Sequence, residues 1–95
     1  MNGGWTYILT NRPNGVLYTG VTADLVPRVY QHRSGEVSGF TSRYGIGRLV
    51  WFEWHQEIVS AIAREKSIKN WTQADKVRLL RASNWEWVDL YPGLL

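Results

Sequence analysis

Residues 6–22, TYILTNRPNGVLYTGVT, hold two short β-type runs on either side of Arg12-Pro13-Asn14-Gly15. Each run contributes one tyrosine, Tyr7 and Tyr18. Trp5, Tyr7 and Leu9 alternate with Thr6, Ile8 and Thr10, and residues 16–22 alternate in the same way. A period of two sends successive side chains to opposite faces of a strand. Pro13 presets a turn dihedral and Asn14-Gly15 tolerates positive φ, so the stretch predicts an antiparallel hairpin. With Arg12 to Gly15 as the loop, Asn11 faces Val16, Leu9 faces Tyr18 and Tyr7 faces Gly20. The two tyrosines are then diagonal neighbours on one face, with space left beside Tyr7 by Gly20. The general strand preference of tyrosine accounts for either ring alone.

Beyond the hairpin the period becomes helical from Asp24 to about Arg33. Asp24 is placed to cap that helix, and Pro27 is tolerated within its first turn. Leu25, Val29 and His32 lie near one stripe. RSGEVSGFTSRYGIG, residues 33–47, reads as a loop with an exposed tip. RLVWFEWH, residues 48–55, predicts a third strand, and its near-continuous apolar character predicts a central position. Residues 57–70 predict a helix with Ile58, Ala61, Ile62 and Ile68 on its apolar face. Thr72 followed by Asp75 resembles a capping box that opens a further helix through about Ala82. The aromatic tail NWEWVDLYPGLL is expected to pack back on the body. The β-β-α-β-α-α order predicts a single α+β domain over residues 1–95, with a three-stranded antiparallel sheet and helices around it.

Composition narrows the function classes. A chain of 95 residues suffices for one small core, and 44% apolar content argues against disorder. Six tryptophans put much of the buried area into aromatics. With no cysteine, disulfides and thiolate metal sites are excluded. The N-terminal residues lack a basic segment followed by a long apolar run, so neither a signal peptide nor membrane association is expected, and the cytoplasm is the expected location. A net charge of +3 permits an anionic partner such as nucleic acid without demanding one.

Several side chains could carry chemistry. Arg28 and His32, spaced i and i+4, share a helix face. Arginine offers a planar fork of donors suited to phosphate, and histidine moves protons near neutral pH. On the helix over 57–70, Ile62 falls at about +40° from Ile58, Ala61 at about −60° and Glu65 at about −20°. Glu65 thus sits within the apolar stripe, where a carboxylate is costly unless paired or metal-bound. A buried salt bridge, with Arg28 for example, and a metal-ligand role both remain open. Asn84 suits a helix C-cap, since asparagine tolerates the left-handed conformation. Arg43 and Tyr44 lie in the glycine-rich loop, where they can touch a substrate. Lys66, Lys69, Lys76, Arg78 and Arg81 make the second half basic, chiefly as solvated faces. His55 reads as structural, and Trp71, Trp85 and Trp87 read as core or lid residues.

Taken in order, these residues resemble the GIY-YIG endonuclease superfamily. Tyr7, ten residues, and then Tyr18-Thr19-Gly20 resemble its paired motif. The likeness continues through RVYQH with Arg28 and His32, AIAREKSIKNW with Glu65, and Asn84. It spans nearly the whole chain and is greatest to small stand-alone bacterial members. Departures are visible: the first triplet reads Trp5-Thr6-Tyr7, the second carries Thr19, and Val21 stands where nucleotide-excision-repair relatives have lysine.

The resemblance implies metal-assisted hydrolysis of DNA phosphodiesters with one divalent ion, usually Mg²⁺, with Mn²⁺ as a substitute. It implies that Glu65 holds the metal, which favours oxygen ligands and retains several waters. Arg28 would stabilise charge in the transition state. Tyr7 or Tyr18 would orient or deprotonate the attacking water, His32 would assist proton transfer, and Asn84 would help fix the site. Gly20, Arg43, Tyr44 and Lys69 are expected to border the substrate. A free phenol has a pKa of about 10. A neighbouring metal and Arg28 are expected to lower it, so activity should rise through mildly alkaline pH. The expected substrate is structured, damaged or single-stranded DNA in repair or recombination, with an unidentified protein partner for targeting. The alternative is a nucleic-acid-binding module with weak or lost nuclease activity.

Overall fold

The computed structural model describes residues 3–37 and 39–95. Strands β1 (Gly4–Thr10) and β2 (Leu17–Thr22) form the hairpin. Helices α1 (Leu25–Arg33) and α2 (Phe40–Arg43) lead to β3 (Arg48–His55). Helices α3 (Ile58–Lys69) and α4 (Gln73–Ser83) and a final 3₁₀ turn (Pro92–Leu94) complete the chain. The sheet is antiparallel with the order β2-β1-β3.

The hairpin has the expected register, with Leu9 opposite Tyr18 and Tyr7 opposite Gly20. Its loop is closed by Gly15 N–H donating to the Arg12 carbonyl at 2.9 Å, with Asn14 at φ 60°. The Asn11 side-chain oxygen accepts from Val16 N–H at 3.0 Å, and Thr10 Oγ1 lies 2.7 Å from the Val16 carbonyl. Local polar side chains therefore fix the register from the loop end.

Two apolar clusters lie on opposite faces of the sheet. Tyr7, Leu9 and Leu49 pack with Leu25 and Val29 of α1 and with Ile46. Ile8, Val50 and Trp51 pack with Ile68 of α3, Leu80 of α4 and Trp87. A bulge in β3 explains how Val50 and Trp51, neighbours in sequence, reach the same cluster. Ile8 is opposite Trp51 and Leu9 is opposite Leu49, so Val50 has no partner on β1.

Four expectations need correction. First, β3 is an edge strand, and β1 holds the centre. The apolar run in β3 reflects cover on both faces, and the C-terminal tail shields part of its free edge. Leu90 N–H donates to the Leu49 carbonyl at 2.7 Å, and Leu49 N–H donates to Asp89 Oδ1 at 3.1 Å. Burial pushes the Asp89 carboxyl up, but bonds from Arg33, Tyr91 N–H and Leu49 N–H outweigh it and hold the pKa below its usual value. Second, the loop over 33–47 contains the short helix α2. Third, Asp24 occupies the N-cap position of α1 without a side-chain cap bond; instead Thr22 Oγ1 accepts from Asp24 N–H at 3.1 Å. Thr72 does cap α4, accepting from Asp75 N–H at 3.1 Å, while Asp75 pairs with Arg78 at 2.6 Å. Fourth, Trp85 is neither core nor lid. It stands exposed with the Arg81 guanidinium 3.7 Å from its ring centroid, whereas Trp87 is buried.

Candidate active site

The Tyr7 hydroxyl is the point on which the site converges. Its ring is 1% exposed beneath α1, opposite Gly20. A Cβ at Gly20 would overlap the Tyr7 ring carbon and hydroxyl, so glycine is what lets this ring lie flat against β2. Tyr7 Oη lies 3.2 Å from His32 Nε2, and His32 Nδ1 lies 3.1 Å from Thr41 Oγ1. The Tyr18 ring packs against His32, with centroids 5.3 Å apart. Arg28 and Glu65 both act electrostatically on the Tyr7 hydroxyl. Hairpin and α1 therefore supply one cluster, Tyr7, Tyr18, Arg28 and His32, with the Glu65 charge of α3 near enough to bear on the Tyr7 hydroxyl.

Burial decides the protonation states. Loss of solvent pushes Tyr7 up to about 12; the nearby Arg28 guanidinium opposes this, while Tyr18 and Glu65 add to it. The expected lowering of this phenol by Arg28 is thus outweighed. Burial, aided by the Arg28 charge, lowers His32 to about 4. His32 is neutral at physiological pH and can carry only one ring hydrogen. With Tyr7 O–H donating to Nε2, the Nδ1 hydrogen is directed to Thr41 Oγ1, and both ring nitrogens are used.

Glu65 has a side chain only 12% exposed, and its Oε2 lies 2.6 Å from Lys69 Nζ. Glu65 thus has an ion-pair partner, the half-exposed Lys69; Arg28 instead donates to Gln31 Oε1 at 3.0 Å. This assigns Lys69 a neutralising position on α3, next to the expected metal-binding carboxylate. Arg43 ends α2 and Tyr44 follows it, and both are exposed.

Asn84 is not drawn into the cluster. Its amide nitrogen donates to the carbonyls of Val50 and Val88 at 3.1 and 2.8 Å, and its oxygen accepts from Val88 N–H at 2.9 Å. It is the C-cap of α4, as expected, with its N–H donating to the Leu80 carbonyl, but its φ of −145° is not left-handed. The bulge frees the Val50 carbonyl, and Asn84 satisfies it. Its place is therefore structural, joining β3, α4 and the tail. Sequence reasoning missed Thr41, Gln31 and Phe40. The phenyl ring of Phe40 stacks on Tyr18 with centroids 6.5 Å apart. A phenylalanine within a glycine- and serine-rich segment was the available signal.

A family model of the GIY-YIG catalytic domain matches residues 3–78. The chain belongs to the GIY-YIG family. This is a nuclease family, and the matched span contains the entire Tyr7 cluster while ending before Asn84. The UPF0213 protein of Aeromonas salmonicida is 32% identical over 87 residues, which is 92% of this chain and 63% of that protein. A UPF0213 protein of Staphylococcus aureus is 32% identical over 81 residues, covering 85% of this chain and 98% of its own. The chain thus spans under two thirds of the first relative and nearly all of the second. The solution NMR structure of a UPF0213 protein from Bacillus halodurans is similar, with a TM-score of 0.55, 28% identity, and cover of 90% of this chain and 92% of that one. Among the described residues, no helix of this GIY-YIG domain is long and apolar enough to cross a membrane.

Proposed function

We propose that this GIY-YIG domain is a divalent-metal-dependent endonuclease that hydrolyses DNA phosphodiesters. The observation that carries the reading is the buried Tyr7 hydroxyl held by His32, with the Tyr18 ring against that histidine and the Arg28 and Glu65 charges near enough to bear on the hydroxyl. A structural salt bridge alone does not call for two tyrosines, a histidine and an arginine gathered beside it.

The residues divide the work by exposure. Tyr7 is buried and held protonated, so it donates a hydrogen bond and is a poor base. Tyr18 is only partly buried and borders the open side, so it takes the hydrogen bond of the attacking water. His32 fixes the Tyr7 hydroxyl and ties it to α2 through Thr41. Arg28 places a permanent cation where negative charge grows on the phosphoryl oxygens.

Glu65 suits Mg²⁺, with Mn²⁺ as a substitute. The ion would be held by this one carboxylate together with waters and substrate oxygens, a set that Mg²⁺ accepts. When bound, the ion supplies Lewis-acid stabilisation of the phosphoryl group. Lys69 balances the Glu65 charge, and with the ion in place its ammonium would be free for a substrate phosphate. Single-stranded, branched or damaged DNA of repair and recombination is the proposed substrate class.

The test is cleavage of supercoiled, single-stranded and branched DNA by wild type and Glu65→Gln, with Mg²⁺, Mn²⁺ or EDTA. Metal-dependent cutting by wild type alone is expected. DNA binding without cutting by either protein would favour the binding-module alternative. Equal cutting by both would remove Glu65 from the reaction.

A further inference from the structure

The ring system of the site does not stop at Tyr18. His32, Tyr18, Phe40 and Tyr44 follow one another with centroid separations of 5.3, 6.5 and 4.9 Å. Exposure rises along the row, from 4% at His32 to 47% at Phe40 and 45% at Tyr44. Neither of the outer rings belongs to an apolar cluster of the core. Single exposed aromatics are common on surfaces. Two adjoining rings that continue a catalytic aromatic outward are a different arrangement.

The outer rings are also held in place. Between them lies Thr41, which is buried and reaches His32 Nδ1 at 3.1 Å. The Thr41 carbonyl accepts from Ile46 N–H at 2.9 Å, anchoring the other end of the segment to the core. Helix α2 thus carries its two rings on a backbone tied to the same histidine that fixes Tyr7. Residues 39–47 include Arg43 and no carboxylate, so the surround favours a phosphate chain.

We propose that Phe40 and Tyr44 form a stacking surface for one unpaired nucleobase flanking the phosphate at Tyr18 and Arg28, with Arg43 at the adjoining phosphate. The proposal rests on the nuclease reading of the cluster. Every base has a π-face, so such a surface accepts any base but requires that face to be free. Within a duplex both faces are covered by neighbours. The surface therefore makes Phe40 and Tyr44 specificity-determining residues: they select the nucleotide by its being unstacked. An aliphatic protein partner is a poorer match for two bare rings beside an arginine.

The test uses the full chain carrying Glu65→Gln, so that the DNA stays intact. Anisotropy of an end-labelled single-stranded oligonucleotide reads affinity, and an abasic site is moved through it one position at a time. At one position the missing base should weaken binding roughly 5- to 150-fold, the range for loss of one base–aromatic stack. Adding Phe40→Leu and Tyr44→Leu should weaken binding to intact DNA by a similar factor and abolish the abasic effect. Phe40→Trp with Tyr44→Trp should restore both. Because neither ring belongs to a core cluster, melting should be little changed, and a thermal scan checks this.

An abasic effect of equal size with and without the rings would overturn the proposal. So would unchanged affinity in the leucine variant. Wild-type cleavage is measured in parallel: metal-dependent cutting with a flat abasic scan sinks the stacking surface alone, while neither cutting nor binding sinks the nuclease reading with it.

Discussion

Replacing Gly20 by alanine should damage the protein through one side chain, Tyr7. Gly20 does not have a positive φ, so no dihedral penalty arises and the effect is steric. The new Cβ would overlap the Tyr7 ring and hydroxyl. That ring is buried and cannot escape toward solvent without breaking its 3.2 Å contact with His32. Overpacking a filled core costs about 1–3 kcal/mol. A lost hydrogen bond adds about 1 kcal/mol. For a domain of this size, 1 kcal/mol corresponds to roughly 4–8 °C in melting temperature, so a loss of about 2–4 kcal/mol should make Gly20→Ala melt roughly 8–32 °C below wild type. Thermal unfolding followed by far-ultraviolet circular dichroism measures the shift. The cause is isolated by Tyr7→Leu, which removes the ring: the double variant should lose much less than the two single losses added together. A Gly20→Ala protein melting within about 2 °C of wild type would refute the reasoning. Strict additivity would also refute it, because the damage would then not pass through Tyr7.

Other predictions concern the same cluster. His32 should titrate near pH 4 by NMR rather than near its ordinary 6.5. Between those values the unfolded chain binds a proton that the folded chain refuses, so stability is lost as pH falls through this window, by about 3 kcal/mol at its lower end. A midpoint near pH 6.5 would show that the imidazole is not desolvated. Thr19 presents a buried hydroxyl with no partner among the described residues, so Thr19→Val should raise stability by about 1 kcal/mol in urea unfolding. A destabilised variant would mean that the hydroxyl is satisfied. Tyr18→Phe should abolish cleavage under single-turnover conditions, whereas Tyr7→Phe should leave a slowed reaction. Arg28→Ala should slow the chemical step by on the order of 10²-fold or more.

The hairpin was legible because its information is local. Alternation set the faces, Asn14-Gly15 set the turn, and together they fixed which residues oppose Tyr7 and Tyr18. Glu65 was legible for the same reason, since helix geometry alone put a carboxylate in an apolar stripe. Its partner was less so: Lys69 is the ordinary i,i+4 neighbour, and Arg28 is held by Gln31. Features that depend on distant segments stayed hidden. The apolar run of β3 reports cover, but not that Asp89 and Leu90 supply part of it along an edge. The bulge at Val50, and with it the reason for Asn84, arises from pairing between β1 and β3. Four residues of α2 are too few to show a period, so Thr41 and Phe40 passed as loop.

The two tyrosines of the hairpin are equivalent in sequence and unequal in structure, and the inequality is what makes a site. Tyr7 faces a glycine and sinks until solvent is gone, so its phenol is driven up to about 12 and serves as a fixed donor. Tyr18 faces Leu9, whose side chain already fills that level of the core, and its ring remains at the rim against His32 and Phe40. One ring therefore contacts the histidine from within the core, and the other stays at the rim, where the proposed reaction needs a group that meets water and substrate. Exchanging the small residue and the tyrosine between the strands would bury the wrong ring. A tyrosine at each site is consequently insufficient: the glycine two residues after Tyr18 is what assigns the buried role to Tyr7 and leaves the exposed role to Tyr18.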